Sequence, residues 1–485
     1  MRAWFDHIWF HIHAQGEAPA LATEDRVVTY AMLGAAIEGC ARRIAGLGVP
    51  RNGVVGVLVR DRIRHMALCL ALHRLGLKSL SLADGAQLGG VVALDAIVAD
   101  KDSPRQGLTC PVTEAADSWF AGERPGPAFP AGFAQASDIC RLSLTSGSTG
   151  QPKCVAYSVA ELGARMAEKQ IGVVDASRTG VLCMPGLTAN FGYTSACATL
   201  MAGRTAFFAQ SPHQAIRMID LYAIDAAIAA PEQLLALTRV ARGADAPLRS
   251  LRLAMISGGV PTRALLEAAT RYLCRDIRCR YGASETGAVA QANGRDVLLS
   301  PGLAGLVLPG IEVRIADAQG RPCAAGQPGR IEVRRRDEQE SGASSARWID
   351  VGDIGWLAAD GRLYMRGREA DVRETAVPGE PPAPQVSPVH EIESLVRLEW
   401  DMADAAAVLV EPQPGAPAEI WVGVAGQGAA NAERVMTLAR SNGLSQPVRL
   451  FHIDSVPRGA NGKVRRSALK AALMSIAERS DARRP

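Results

Sequence analysis

The run from Leu142 to Lys153 places Thr145, Ser146, Gly147, Ser148, Thr149 and Gly150 in one stretch, with Lys153 after Gln151-Pro152. Hydroxyl donors, flexible glycines and a cation within one short loop suit a polyphosphate. Gly147 and Gly150 let backbone N–H groups approach phosphate oxygens closely, and Lys153 supplies a compact positive charge. Apolar strand candidates flank the loop, which separates it from a flexible Ser/Gly linker. It is not a Walker A loop, because that motif runs directly into a helix, whereas Cys154 to Tyr157 reads as a strand. The chain also lacks a GxSxG nucleophile elbow, which removes support for a serine hydrolase.

Four further segments follow in order: Tyr281-Gly282-Ala283-Ser284-Glu285, Trp348 to Asp353, Gly367-Arg368, and Pro457 to Arg466 with Lys463 at its centre. Together with Thr145 to Lys153, they resemble the ordered motifs of the ANL adenylate-forming superfamily, which contains acyl- and aryl-CoA synthetases, nonribosomal adenylation domains and luciferases. The less specific Val28-Thr29-Tyr30 and the Gly46 to Asn52 turn also fit its N-terminal pattern. The resemblance spans nearly the whole chain. It implies activation of a carboxylic acid by ATP as an acyl-adenylate, then transfer to a thiol.

The resemblance also assigns roles. Attack of a carboxylate on the α-phosphate builds negative charge, so magnesium and cations are needed. Glu285 resembles the magnesium-binding carboxylate, Ser284 an α-phosphate donor, and Lys463 the lysine that offsets transition-state charge. Tyr281 would pack on adenine beside Gly258, Gly259 and Val260. Asp353 would accept hydrogen bonds from the ribose hydroxyls, with Arg368 supporting the same sugar. The chain contains only six lysines, yet both phosphate-facing positions, Lys153 and Lys463, are lysine. That is the choice expected of a compact ammonium in a tight site.

Three positions depart from the family pattern. Val351 replaces a hydroxyl residue before Gly352-Asp353. Ala370 stands where the hinge commonly carries Asp or Lys, with Asp371 following. Val372 to Gln385 is longer, Pro-rich and without the lysine that approaches CoA, so adenylation is better supported than thioester formation. Pro185 to Ser195 resembles a wall of the acid pocket, with Asn190, Phe191 and Gly192 as pocket or loop residues. It has neither the histidine of many CoA synthetases nor the aspartate that pairs with an amino acid's ammonium. The expected substrate is therefore an acid without an ammonium group.

The positioning elements read as α/β. At 485 residues the chain exceeds a single core. A helix, the strand Val54 to Val59, a helix through Ala67 to Leu75 and another strand form a parallel pattern. It returns in strand candidates Ala227 to Ala230 and Leu251 to Ile256. After Gly302, short strands at Ile311 to Ile315, Arg330 to Val333 and Arg362 to Met365 predict a β-rich portion. Five prolines in Val377 to Pro388 predict a boundary loop. Residues 1–368 are thus expected to form a large N-terminal ANL-type domain of α/β subdomains plus a β-rich portion. Residues 369–485 form a small mobile C-terminal α+β domain carrying Lys463.

With 53 basic and 49 acidic residues spread along the chain, no nucleic-acid footprint is present. The 10 cysteines show no zinc spacing and predict free thiols in the cytoplasm. His7, His11 and His13 fit an amphipathic segment better than a metal site. No membrane span or export signal is expected. The expected cofactors and partners are ATP, Mg2+, a small carboxylic acid, and CoA or the phosphopantetheine of a carrier protein. The leading reading is an acyl- or aryl-CoA synthetase. A freestanding acyl-AMP ligase loading a carrier protein is the alternative, and a weakly catalytic nucleotide-binding homologue a lesser one.

Overall fold

The computed structural model describes residues 4–84, 91–104, 108–122, 132–146, 152–174, 177–243, 248–336, 348–369, 388–400, 404–412, 416–426, 431–458 and 464–481. The side chains at 145, 146, 152, 171, 368, 480 and 481 are excepted. The chain folds as α/β around three sheets of 13, six and three strands. In the six-stranded sheet, Val54–Leu58 pairs in parallel with Lys78–Ser81 through the helix Arg62–Leu75. That helix starts where Asp61 accepts hydrogen bonds from the Ile63 and Arg64 N–H groups, and ends at left-handed Gly76. One edge of the sheet is the antiparallel hairpin Ile139–Ser146 with Pro152–Ser158.

The large sheet has a parallel centre and an antiparallel flank. Gly180–Cys183, Ala226–Ala229, Leu253–Ser257 and Asp276–Ala283 lie side by side in parallel. Burial of the first three on both faces explains their continuous apolar runs. Asp276–Ala283 is the switch strand, because its other edge pairs antiparallel with Gly287–Asn293. The strands Leu303–Val307, Arg362–Arg368, Ile349–Leu357, Gly329–Arg335 and Ile311–Ala316 continue from there. The β-rich portion expected after Gly302 is therefore an extension of the parallel sheet. The three-stranded sheet, Asp404–Val410, Glu419–Ala425 and Val448–His452, is covered by the helices Pro388–Glu399, Ala432–Ser441 and Arg466–Asp481.

Two sequence expectations change. Pro388 is the first residue of a helix, where its missing N–H costs nothing; 377–387 lies outside the described residues. The first helix of the parallel pattern, expected from Ala41 onward, begins at Tyr30, with the Thr29 hydroxyl accepting from the Met32 N–H.

The helix Trp4–Ala14 buries Trp4, Phe5, Ile8, Trp9 and Ile12, and its His11 Nε2 lies 3.1 Å from the Met201 carbonyl. The packing reading of this segment therefore holds. His73 is buried against Trp4, Phe5 and Phe133, with ring centroids 4.4, 5.1 and 5.0 Å away. Burial lowers its pKa to about 3, so it is neutral in the folded protein. The unfolded chain gains the proton first as pH falls below about 6.5. Stability carried by neutral His73 is thus present above about pH 6.5 and is lost as pH falls toward 3, by at most about 1.4 kcal/mol per pH unit. His73→Phe should flatten the slope of melting temperature against pH in that window. An unchanged slope would remove His73 as its source.

Candidate active site

Three sequence-predicted segments follow the carboxyl ends of neighbouring parallel strands. Pro185 to Gly192 follows Gly180–Cys183, Gly258 to Val260 follows Leu253–Ser257, and Ser284-Glu285 follows Asp276–Ala283. In open α/β sheets this edge is where ligands bind. Gly282 is required by its close approach to the neighbouring strand, since a Cβ there would stand 2.0 Å from the Gly287 carbonyl oxygen.

The turn after Gly282 is held through its carbonyls. Arg165 donates to the Ser284 and Glu285 carbonyls at 2.7 and 2.8 Å, and the Tyr157 hydroxyl donates to that of Ser284 at 3.1 Å. Arg335 reaches the Thr286 carbonyl at 3.2 Å and pairs with Glu168 at 2.6 Å. Arg165 and Arg335 are both buried. With its main chain fixed in this way, Glu285 leaves its own carboxylate exposed and without a hydrogen bond or ion pair among the described residues. Such a carboxylate is available to a cation. Tyr157 belongs to the strand Pro152–Ser158, so the hairpin carrying the hydroxyl-rich loop is tied to this turn.

Tyr281 and Asp353 meet directly, with the phenol donating to the carboxylate at 2.7 Å. Asp353 is buried and stands opposite Arg368 across the antiparallel ladder. The separated Tyr281, Gly352-Asp353 and Gly367-Arg368 motifs thereby become one cluster. The Arg368 side chain is outside the described residues. Val351 packs into the apolar cluster of Ile311, Ile331, Val333 and Leu363, which gives an apolar residue at that position a structural use.

Lys153 is exposed at the base of the hairpin, opposite Thr145. Gly147, Ser148, Thr149 and Gly150, the side chains of Thr145 and Ser146, and Lys463, Ala370 and Asp371 lie outside the described residues. The base of the Lys463 loop is described, because Arg458 and Val464 form a bridge that closes it. Arg458 donates to Asp404 at 2.8 Å and pairs with Glu232 at 3.5 Å. Glu232 follows Pro231, whose ring would stand 3.2 Å from a Cβ at Gly259. The foot of the lysine loop is thus beside the Gly258 to Val260 turn. Beyond that turn, Glu391 accepts from the Arg263 and Ala264 N–H groups at 2.9 and 2.7 Å.

Asn190, Phe191 and Gly192 open the helix Asn190–Met201, which removes the loop alternative for them. A Cβ at Gly192 would stand 2.3 Å from the Gly186 carbonyl oxygen, so glycine lets the helix start against Pro185-Gly186. Sequence reasoning also missed Arg141. It is buried on the strand Ile139–Ser146, donates at 2.9 Å to the Ser81 hydroxyl and the Leu187 carbonyl, and lies 3.7 Å from the Tyr193 ring centroid. It joins the strand entering the hydroxyl-rich loop to the segment 185–195. Among the described residues no cluster of metal-ligating side chains occurs, and no helix is long and apolar enough to cross a membrane.

Residues 78–337 match the family model described as AMP-binding enzyme. The chain belongs to that family and, with it, to the ANL adenylate-forming superfamily. It is an enzyme of the AMP-forming acid–thiol ligase class. It is 24% identical to 2-succinylbenzoate–CoA ligase of Geobacillus kaustophilus, covering 94% of this chain and 95% of that one. It is 26% identical to fatty acid–[acyl-carrier-protein] ligase ScoC of Streptomyces coeruleorubidus, covering 95% and 94%. Its fold matches o-succinylbenzoate CoA synthetase of Bacillus subtilis in complex with the acyl-adenylate intermediate OSB-AMP. That match has a TM-score of 0.77 at 19% identity over 97% of this chain and 98% of the other.

Proposed function

We propose that this protein activates a carboxylic acid lacking an ammonium group as its acyl-adenylate and transfers the acyl group to CoA. The observation that carries the reading is the junction of Tyr281 with Asp353 beside the clamped Ser284-Glu285 turn, at the carboxyl edge of the parallel strands. A buried carboxylate held by a phenol suits a ribose diol, and the exposed Glu285 carboxylate suits magnesium. ATP with magnesium, when bound, supplies the electrophilic α-phosphate and a leaving pyrophosphate. Ser284 and Lys153 would hold phosphate oxygens, with the backbone and hydroxyls of Thr145 to Gly150. Gly258, Gly259 and Val260 would line the base, and Arg368 the ribose. Asn190, Phe191 and Gly192 would border the acid, and Lys463 would face the reacting carboxyl.

In this reading residues 369–485 form a separate domain that delivers Lys463, and the ten free cysteines favour a reducing cytoplasm. The likeness to a ligase named for an acyl-carrier protein supports a second acceptor, a carrier's phosphopantetheine. The test is ATP–pyrophosphate exchange across a panel of aryl and aliphatic acids, followed by acyl transfer to CoA or to a loaded carrier protein. Exchange with no acid, or stronger exchange with an amino acid than with every other acid, would overturn the proposal.

Tyr281→Phe deletes a hydrogen bond to a buried carboxylate, an interaction worth about 1.5–3 kcal/mol. The KM for ATP should rise roughly 10-fold or more, while the KM for the acid stays within a factor of two or so. Equal effects on both would remove Tyr281-Asp353 from the nucleotide site.

A further inference from the structure

Lys169 ends the helix Val159–Lys169 and lies on its buried face with Val159, Leu162, Arg165 and Met166. It is 9% exposed, and its Nζ stands 5.7 Å from the Phe191 ring centroid. Among the described residues it has no hydrogen bond or ion pair. An ammonium with little access to water and no acceptor is costly, so its retention needs a reason.

The charged groups around it are engaged with other partners, although Glu168 Oε2 and Arg165 Nε are buried without a hydrogen bond. Arg165 is on the Ser284 and Glu285 carbonyls, and Arg335 is on Glu168. Arg280 is on the Gln291 side chain and the Glu168 carbonyl, and Arg278 is on Asp276. Cations therefore outnumber carboxylates in this part of the molecule. Burial first, and then the charge of Arg280, push the Lys169 ammonium down to about 7. Next to Phe191, Asn190 is 8% exposed, and its buried Oδ1 has no hydrogen-bond partner. Two polar groups with unused capacity thus belong to this neighbourhood, the Lys169 ammonium over the Phe191 ring and the Asn190 Oδ1 on the preceding residue.

Position along the helix gives the cluster a meaning. Arg165 grips the turn that carries Ser284 and Glu285, and Lys169 is four residues further on the same face, about 6 Å along the axis. Phe191 belongs to the candidate acid-binding segment. Lys169 therefore lies between the helix that grips the Ser284-Glu285 turn and the candidate acid-binding segment.

We propose that Lys169 selects the substrate, by pairing with an anionic oxygen that the acid carries at the end remote from its reacting carboxyl. The class is a short or aromatic acid with a distal carboxylate or phenolate. The inference rests on the adenylation reading.

The test compares pyrophosphate exchange by wild type, Lys169→Met and Lys169→Gln, using acids that differ only at the far end. Suitable pairs are 4-carboxybenzoate with 4-methylbenzoate, 4-hydroxybenzoate with benzoate, and adipate with hexanoate; the first two separate a carboxylate from a phenol. Wild type should prefer the members with a distal acidic group. Lys169→Met should lose roughly 100-fold in kcat/KM for those members, chiefly through KM, while turnover of the neutral-ended members is kept or improved. Its melting temperature should hold or rise, since a buried charge is replaced by an apolar chain of similar length. Equal loss with both members of every pair, in both variants, would make Lys169 structural and overturn the inference alone. Wild-type preference for the neutral-ended members would do the same. A wild type that activates no acid overturns the adenylation reading, and this inference with it.

Discussion

Lys463→Ala is expected to lower acid-dependent pyrophosphate exchange by roughly 100- to 1,000-fold, the usual effect of removing one preorganised charge from a transition state. ATP affinity should change little, because the lysine is proposed to act on charge that develops during the reaction. The loop's foot supports this assignment. Arg458 holds it to Asp404 and Glu232, beside Pro231 and the Gly258 to Val260 turn. The measurement is exchange rate together with ATP binding by calorimetry, with circular dichroism to show that the fold is retained. Wild-type exchange by the folded variant would remove Lys463 from the chemistry.

Arg165→Met should be nearly as damaging, although Arg165 belongs to none of the sequence motifs. The substitution keeps an apolar stem but strips hydrogen bonds from the Ser284 and Glu285 carbonyls. The Ser284 carbonyl keeps the Tyr157 hydroxyl, whereas the Glu285 carbonyl loses the guanidinium that holds it, and an acceptor left unpaired costs about 1–3 kcal/mol when buried. Relaxation of the turn should displace the Glu285 carboxylate, giving a roughly 100-fold fall in exchange with a raised magnesium requirement. The melting temperature should also fall. Magnesium titrations of the exchange rate separate the two effects. A variant that is less stable but has an unchanged magnesium dependence would make Arg165 a purely structural residue.

The candidate motifs were legible because each is a run of neighbouring residues of demanding type. Tyr281 to Glu285, Gly352-Asp353 and the hydroxyl-rich run to Lys153 were read from neighbouring residues, and the strand expected at Cys154 to Tyr157 lies within Pro152–Ser158. Helices with side-chain caps could have been placed from sequence too, as at Thr29, Asp61 and the Ser158–Glu161 capping box. Asn190 to Gly192 was read as pocket or loop for the converse reason. The residue preceding that helix is Ala189, which has no side chain able to cap it. The arginines that organise the site, Arg141, Arg165 and Arg335, were invisible because arginine supplies most of the chain's positive charge. Nothing next to them in sequence separates a buried guanidinium from a solvated one.

By itself, then, the sequence determined the family, the α/β alternation and the ordered motifs, because these depend on short-range residue type and period. The tertiary structure decided which motifs touch. It joined Tyr281 to Asp353, clamped the Ser284-Glu285 turn with Arg165, continued the β-rich strands from the parallel sheet, and buried Lys169 against Phe191. Those contacts depend on strand order and helix placement over long sequence separations. A buried charge also takes its meaning from the partners that the fold brings to it, and no local pattern of residues encodes them.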